Sequence, residues 1–238
     1  MFFEDETART VVGIIGNVVS LVLFLSPIPT FRKIVKQKAV QEFKPDPYLA
    51  TVFNCAMWTF YGLPFVKEDS LLVVTINSVG LVIEFVYVAI FFYFATSHKR
   101  RKIGIVLALE LVAMVAVVLI AMGLMHTNKT RSLFVGILCI ILNVIMYSSP
   151  LTVMRMVIRT KSVKYMPIYL SLASLANGVI WVAYSLLRFD INIVIPNGLG
   201  ALAGIVQIIL YATYYKTTNW DEDSTQNRAE VQLPASNV

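Results

Sequence analysis

The stretch Asn54–Tyr61, NCAMWTFY, places an amide, a tryptophan and a tyrosine at positions i, i+4 and i+7 of an otherwise apolar run. In a helix of 3.6 residues per turn, these three side chains lie on one face. The stretch Asn177–Tyr184, NGVIWVAY, repeats the pattern Asn-x-x-x-Trp-x-x-Tyr after 123 residues. Self-similarity at a fixed offset indicates a duplicated structural unit.

The composition indicates an integral membrane protein. The chain has 238 residues, of which 58% are hydrophobic and 14% are charged, whereas about 25% of the residues of a soluble domain are charged. A membrane-spanning helix needs about 20 mostly apolar residues. Seven segments meet this requirement, and we predict helices over residues 11–30, 47–66, 71–95, 103–125, 133–154, 167–187 and 192–215.

The segments outside these spans are short and polar. Residues 1–10 are predicted to form an extracytoplasmic N-terminus, and the polar residues 216–238 a disordered tail. Both cysteines, Cys55 and Cys139, fall within predicted spans, and no Cys/His cluster predicts a metal site. We also find no nucleophile–base pair and no phosphate-binding loop. The sequence therefore predicts neither an enzyme nor a cofactor.

The placement of basic residues predicts the orientation. With seven spans, 15 of the 20 lysines and arginines fall on one side of the membrane and five on the other. Basic loops are enriched in the cytoplasm, so the N-terminus is predicted outside and the C-terminus inside. The sequon Asn128-Lys129-Thr130 then falls in an outward loop. Membrane topology and anionic lipid explain the basic loops without a nucleic-acid partner.

The internal repeat extends well beyond the opening motif. It comprises residues 11–95 and 132–215, with residues 96–131 holding an unpaired linker helix. Because three helices reverse the side of the membrane and the fourth restores it, the two repeats are parallel. Parallel repeats are a transporter architecture, with the substrate site between the halves. Further matched pairs are Ser26-Pro27 with Ser149-Pro150, Lys38-x-Val40 with Lys161-x-Val163, and Asn77-x-x-Gly80 with Asn197-x-x-Gly200.

Four segments carry a resemblance to a known family. They are GNVVSLVLFLSPIPTF, PYLATVFNCAMWTFYGLP, TINSVG and PNGLG. In these segments the chain resembles the SWEET sugar transporters, which contain two MtN3/saliva repeats, over about residues 10–215. The resemblance implies an all-α integral membrane fold of seven helices in a 3+1+3 plan. It also implies a homo-oligomer that moves a small sugar across the bilayer.

The amides within the spans are suited to sugar binding. An amide both donates and accepts hydrogen bonds, as sugar hydroxyls do, and an indole offers a flat apolar face to the C–H face of a sugar ring. The alternative is structural, because Asn often joins membrane helices and Trp often marks the membrane interface. The residues concerned form three repeat-related pairs: Asn54 with Asn177, Asn77 with Asn197, and Trp58 with Trp181.

The resemblance assigns roles to these residues. It implies that Asn77 and Asn197 bind the sugar and that Trp58 and Trp181 flank it. It also implies that the cavity is lined by Ser20, Leu23, Asn54, Met146 and Asn177. Family members that carry disaccharides tend to have smaller residues at the last four of these positions. The larger residues here predict a monosaccharide such as glucose, although a pocket discriminates size only modestly.

Prolines and tyrosines are predicted to form gates. A proline inside a helix removes a hydrogen bond and bends the helix, whereas a proline in the first turn of a helix is ordinary. The resemblance implies that a proline tetrad forms the inner hinge and that two tyrosines with a nearby aspartate form the outer gate. An interfacial tyrosine belt is the alternative for the tyrosines. These residues are Pro27, Pro47, Pro150, Pro167, Tyr61, Tyr184 and Asp190.

The acidic residues within the spans bear on energy coupling. Only Glu84 and Glu110 lie well inside spans. Glu84 lies seven residues after Asn77 and is a candidate for proton coupling, although a structural role is favoured for it. We therefore predict a bidirectional uniporter, in the plasma membrane or alternatively in the vacuolar or another internal membrane. A seven-helix receptor that binds a small polar ligand without transport is the alternative function. A PQ-loop carrier is disfavoured because the Pro-Gln pairs are absent, and a retinal protein because residues 192–215 contain no lysine.

Overall fold

A computed structural model describes residues 6–220, and within this range the chain is helical, with no β-strand. The predicted parts of the termini at residues 1–5 and 221–238 lie outside the described residues. The helices are α1 (Glu6–Leu25), α2 (Ile28–Gln37), α3 (Asp46–Tyr61), α4 (Leu71–Phe94), α5 (Ser97–Leu124), α6 (Asn128–Met146), α7 (Ser148–Thr160), α8 (Ile168–Leu187) and α9 (Ile191–Tyr214).

Two of the seven predicted helices are interrupted. The first is broken at Ser26 and Pro27 into α1 and α2, and the fifth at Tyr147 into α6 and α7. Counting each interrupted pair as one helix gives the predicted seven in the described chain, which confirms the fold class. Six of these seven are long and apolar enough to cross a membrane, and the interrupted helices measure 32 and 33 residues.

The second predicted helix is shorter than expected. It corresponds to α3, which has 16 residues and ends at Tyr61, and turns follow as far as Ser70. Gly62 forms its C-cap, and a helix continuing past it would place Pro64 in the interior, where it cannot donate to the helical ladder. The predicted boundary at residue 66 was therefore wrong, because the apolar run Leu63–Val66 was counted as helix.

One compact unit contains residues 24–142. In it, α3 packs along α4, and both α2 and α5 also contact α4. Its core is apolar and aromatic, with Phe31, Tyr48, Tyr87 and Phe91 all buried. Most of α5 is exposed and apolar, as expected for a helix that faces lipid.

Hydrogen bonds group the loops of this unit into two sets. Lys99 Nζ bonds the carbonyl oxygens of Gln41 and Phe43 at 2.5 and 3.2 Å, which ties the start of α5 to the α2–α3 loop. Asn128 Nδ2 bonds Glu68 Oε1 at 2.8 Å, which ties the start of α6 to the α3–α4 loop. Each pair of loops is predicted on one side of the membrane, so the contacts agree with the predicted alternation.

Among the described residues, the other compact unit contains those up to Leu23 and those from Asn143 onward. Its main contact is between α8 and α9, and α7 also packs on α9. The unit therefore combines most of α1 with the second repeat, so its boundaries differ from those of the sequence repeats. The first residues of the predicted tail are held, because Thr217 Oγ1 bonds the Lys161 carbonyl at 2.7 Å and Thr218 Oγ1 accepts from Val163 N at 2.9 Å.

The repeat is visible in the backbone. Lys38 ends α2 and Lys161 ends α7, and both adopt the left-handed conformation, with φ of 52° and 55°. Few non-glycine residues adopt this conformation, so its occurrence at two positions 123 residues apart supports the structural repeat. Val40 and Val163, two residues later, are both buried.

Candidate functional site

Asn77 and Asn197 occupy equivalent environments in α4 and α9. Each is buried, and each donates from Nδ2 to the carbonyl four residues earlier: Asn77 to Val73 and Asn197 to Ile193, both at 2.9 Å. The bond fixes the amide plane and leaves Oδ1 as the acceptor. Neither Oδ1 has a hydrogen-bond partner among the described residues. A buried acceptor without a partner costs about 1–3 kcal/mol, so folding alone does not explain these two amides.

The polar face of α3 is buried and lacks partners. Asn54 is 1% exposed, and neither Nδ2 nor Oδ1 has a hydrogen-bond partner in the described structure. The indole Nε1 of Trp58, one turn later, also has none. The Trp58 ring contacts that of Tyr61 edge-on, with centroids 5.3 Å apart. This face of α3 therefore presents buried donors and an acceptor that have no partner among the described residues.

The matching face of α8 is completed by a residue of α1. Ser20 Oγ donates to Asn177 Oδ1 at 2.6 Å and accepts from Trp181 Nε1 at 3.0 Å. All three residues are buried. Gly16, one turn before Ser20, permits the approach, since a Cβ there would lie 3.1 Å from Trp181 Cε2. Ser20 thereby fixes the orientation of both the amide and the indole.

The aromatic pair of α8 matches that of α3. Trp181 and Tyr184 also meet edge-on, with centroids 5.2 Å apart, close to the 5.3 Å of the α3 pair. Asn143, which the sequence analysis missed, is the repeat partner of Ser20 at an offset of 123 residues and is 1% exposed. Extending the repeat alignment into the fifth helix would have identified it.

The predicted size-determining residues are buried in both repeats. Leu23 in α1 and Met146 in α6 are repeat partners and are 4% and 8% exposed. Asn54 and Asn177 are also buried. A change of volume at any of these positions therefore acts on a packed environment rather than on a loose surface.

The four predicted hinge prolines lie at helix ends. Pro27 immediately precedes α2, Pro47 is the second residue of α3, Pro150 is the third residue of α7, and Pro167 is the N-cap of α8. Pro27 and Pro150 accompany the two interruptions of the long helices. Pro47 and Pro167 begin their helices, which is also where proline is ordinarily tolerated.

The predicted outer-gate residues have partners within their own units. Tyr61 and Tyr184 are both buried. Asp190 caps α9, because its Oδ1 accepts from Asn192 N at 3.1 Å, which is a usual role for aspartate at a helix start. Arg9 of α1 lies over the Tyr184 ring at 4.3 Å. Arg9 was not predicted, because nothing in its local sequence distinguishes it from a flanking charge.

The chemistry offered by these residues is that of a neutral polyol site. Each unit by itself provides uncharged donors and acceptors beside a flat apolar ring: Asn54, Asn77 and Trp58 in one unit, and Ser20, Asn177, Asn197 and Trp181 in the other. Such a set suits a ligand that has many hydroxyls and no net charge. No group of three or more metal-binding side chains occurs within the described range.

Comparisons with known proteins agree with this chemistry. A family model described as a sugar efflux transporter for intercellular exchange matches residues 10–99 and 133–219. The chain is 63% identical over 220 residues to the bidirectional sugar transporter SWEET5 of Arabidopsis thaliana, covering 92% of each chain. It is 57% identical to the bidirectional sugar transporter SWEET7b of Oryza sativa subsp. indica, covering 92% of this chain and 83% of the relative.

A solved structure shares the fold. The chain matches a eukaryotic SWEET transporter determined at 3.7 Å resolution with a TM-score of 0.85 and 37% sequence identity. The match covers 88% of this chain and 98% of the solved chain. The matched residues of the family model exclude 100–132, where the linker helix lies.

Proposed function

This chain belongs to the SWEET, or MtN3/saliva, family of sugar transporters, and from that premise we propose that it is a bidirectional uniporter for monosaccharides such as glucose. The observation that carries the proposal is the pair of repeat-related amides, Asn77 and Asn197. Each is buried with its acceptor oxygen unused among the described residues. Sugar hydroxyls are suitable donors to these oxygens.

The indoles complete the proposed recognition. Trp58 and Trp181 are almost fully buried, and each meets a tyrosine edge-on. This contact leaves the orientation of each indole fixed, so a sugar would lose little side-chain entropy when it packs against the ring. Trp58 Nε1 and the Asn54 amide provide further polar atoms without partners in the described chain.

Uniport is proposed because the buried residues assigned to the sugar are neutral. Glu84, in α4, is 1% exposed and lies seven residues after Asn77, so it is the acid that would bear on proton coupling. Its repeat position at an offset of 120 is Gly204. The second repeat therefore carries no equivalent acid, which supports a structural role.

The function is tested by flux. Purified protein in sealed proteoliposomes is expected to equilibrate labelled glucose inward and outward at the same final level, with or without a proton gradient. Protein-free liposomes are the control. Accumulation above equilibrium in a proton gradient would contradict uniport. Saturable glucose binding without flux would instead identify the receptor alternative.

The preference for a monosaccharide is tested by reducing four side chains. The combined variant Leu23→Val, Asn54→Ser, Met146→Val and Asn177→Ser is expected to raise the sucrose-to-glucose transport ratio about tenfold. The reason is that each change removes buried volume that would otherwise exclude a second ring, and a size difference in a pocket is worth about 10–200-fold. The measurement is initial uptake of both labelled sugars.

A matched control uses exposed neighbours. Leu25 and Ile145 are 40% and 62% exposed, so the variant Leu25→Val with Ile145→Val shortens two side chains of the same helices without affecting a packed environment. Its sucrose-to-glucose ratio is expected to equal that of the unmodified chain. An unchanged ratio in the fourfold variant would refute the size argument.

Location and assembly remain part of this proposal. We propose the plasma membrane, an outside N-terminus, a cytoplasmic C-terminus and a homo-oligomer. The 15-to-5 distribution of basic residues supports the orientation. Labelling of single introduced cysteines from either side of intact cells tests it, with a position in the α3–α4 loop expected to react from outside.

A further inference from the structure

We propose that Tyr87 is a positioning residue that fixes the bend between α1 and α2 by holding the chain on both sides of the break. The break lies at Ser26 and Pro27, between Leu25 and Ile28. Tyr87 lies in α4 and is 5% exposed. The role of this bend in transport depends on the proposed function, but the clamp itself does not.

The hydroxyl of Tyr87 holds the side before the break. It donates to the Phe24 carbonyl at 3.0 Å, in the last turn of α1, where the carbonyls of a helix normally lack intrahelical partners. The Phe24 ring is seated on the same helix, because a Cβ at Gly80 would lie 2.3 Å from Phe24 Cζ. Gly80 and Tyr87 are two turns apart in α4, so α4 holds both the ring and the carbonyl of Phe24.

The ring of Tyr87 holds the side after the break. It stacks on Phe31 of α2 with centroids 4.3 Å apart and an interplanar angle of 12°. Phe31 is itself buried in the core that includes Tyr48. One side chain therefore contacts α1 through its hydroxyl and α2 through its face, and a change in the bend must break one of the two contacts.

The second repeat lacks this clamp. The repeat positions of Tyr87 and Phe31 are Gln207 and Met154, and neither can form a stacked aromatic pair. Its interruption is held differently, by the hydroxyl of Tyr147, which donates to the Pro196 carbonyl of α9. The clamp is therefore a property of the first bend, at which Pro27 lies.

Hydrogen exchange measured by mass spectrometry on the full chain in lipid nanodiscs tests the clamp. Tyr87→Phe keeps the stacked ring and removes the bond to Phe24. It is expected to raise amide exchange about fivefold in peptides covering residues 24–31, the factor that corresponds to losing one neutral hydrogen bond. Exchange in α8 and α9 is expected to stay unchanged.

Tyr48→Phe is the matched control. The Tyr48 hydroxyl makes no hydrogen bond within the described chain, although its ring packs against Phe31 with centroids 4.9 Å apart. Exchange over residues 24–31 is expected to change less than twofold. An equal rise in the Tyr48 and Tyr87 variants, or no rise in the Tyr87 variant, would overturn the proposal.

Phe31→Leu tests the other contact and remains informative if Tyr87→Phe does not fold. It is expected to raise exchange over the same residues, and the double variant is expected to add less than the sum of the two effects, because both disturb one clamp. Independent, additive effects would also overturn the proposal. If the unmodified chain showed no glucose flux but the variants gave this exchange pattern, the proposed function would be contradicted and the clamp would stand.

Discussion

Replacing Asn77 or Asn197 by alanine is expected to lower glucose transport more than tenfold while leaving the fold intact. Each Oδ1 is buried and has no partner in the described chain, so alanine removes an acceptor that folding does not use. A sugar hydroxyl bound there would be left unpaired in the variant, which costs about 1–3 kcal/mol. Labelled glucose uptake into proteoliposomes measures the loss of transport, and thermal unfolding in detergent checks that the fold is intact.

Neighbouring residues provide the controls. Thr75 lies two residues before Asn77 in α4 and is exposed, and Gly198 follows Asn197 with open space around its Cβ position. Thr75→Ala and Gly198→Ala are each expected to retain at least half of the uptake. Undiminished uptake in both asparagine variants would remove the amides from the proposed site. Reduced thermal stability that accounts for the loss of uptake would give them a structural role instead.

Most of the fold could be predicted because its signals are local. Apolar runs of about 20 residues identify membrane helices with little dependence on their neighbours. The predictions failed where helix ends depend on turn chemistry, as at Gly62, where α3 stops although apolar residues continue. The grouping of residues before Leu23 with the second repeat was also not predicted, because no pattern within α1 records which distant helix it packs against.

The sequence proposes residues for the candidate site but cannot give their hydrogen bonds. The repeat identifies Asn177 and Trp181 without any structure, because both recur at one offset. That Ser20 joins them through two hydrogen bonds depends on how α1 approaches α8 across Gly16. The bond of Asp190 could not be predicted either. Its Oδ1 accepts from Asn192 N at the start of α9, whereas the sequence analysis placed Asp190 with the two tyrosines.

Gly178 should be the position at which one added methyl group does most harm. A Cβ there would lie 2.8 Å from both the Asn197 carbonyl oxygen and Ala201 N. Both are backbone atoms of α9, so no side-chain rotation can relieve the contact and the two helices must separate. Close approach through small residues is how membrane helices pack, and α8 with α9 is the main contact of its unit.

We therefore expect Gly178→Ala to destabilise the protein by about 1–3 kcal/mol, the usual cost of overpacking, and to lower glucose uptake more than tenfold. Glucose uptake is expected to fall because the displaced carbonyl belongs to Asn197, whose side-chain amide is the proposed sugar ligand. Gly198→Ala adds the same methyl group to α9 at a position that faces open space. This variant therefore separates the effect of tight packing from the effect of losing a glycine. Thermal unfolding and glucose uptake are measured on both variants. Equal stability and equal uptake of the two variants would show that the α8–α9 contact tolerates a wider spacing, and would contradict this prediction.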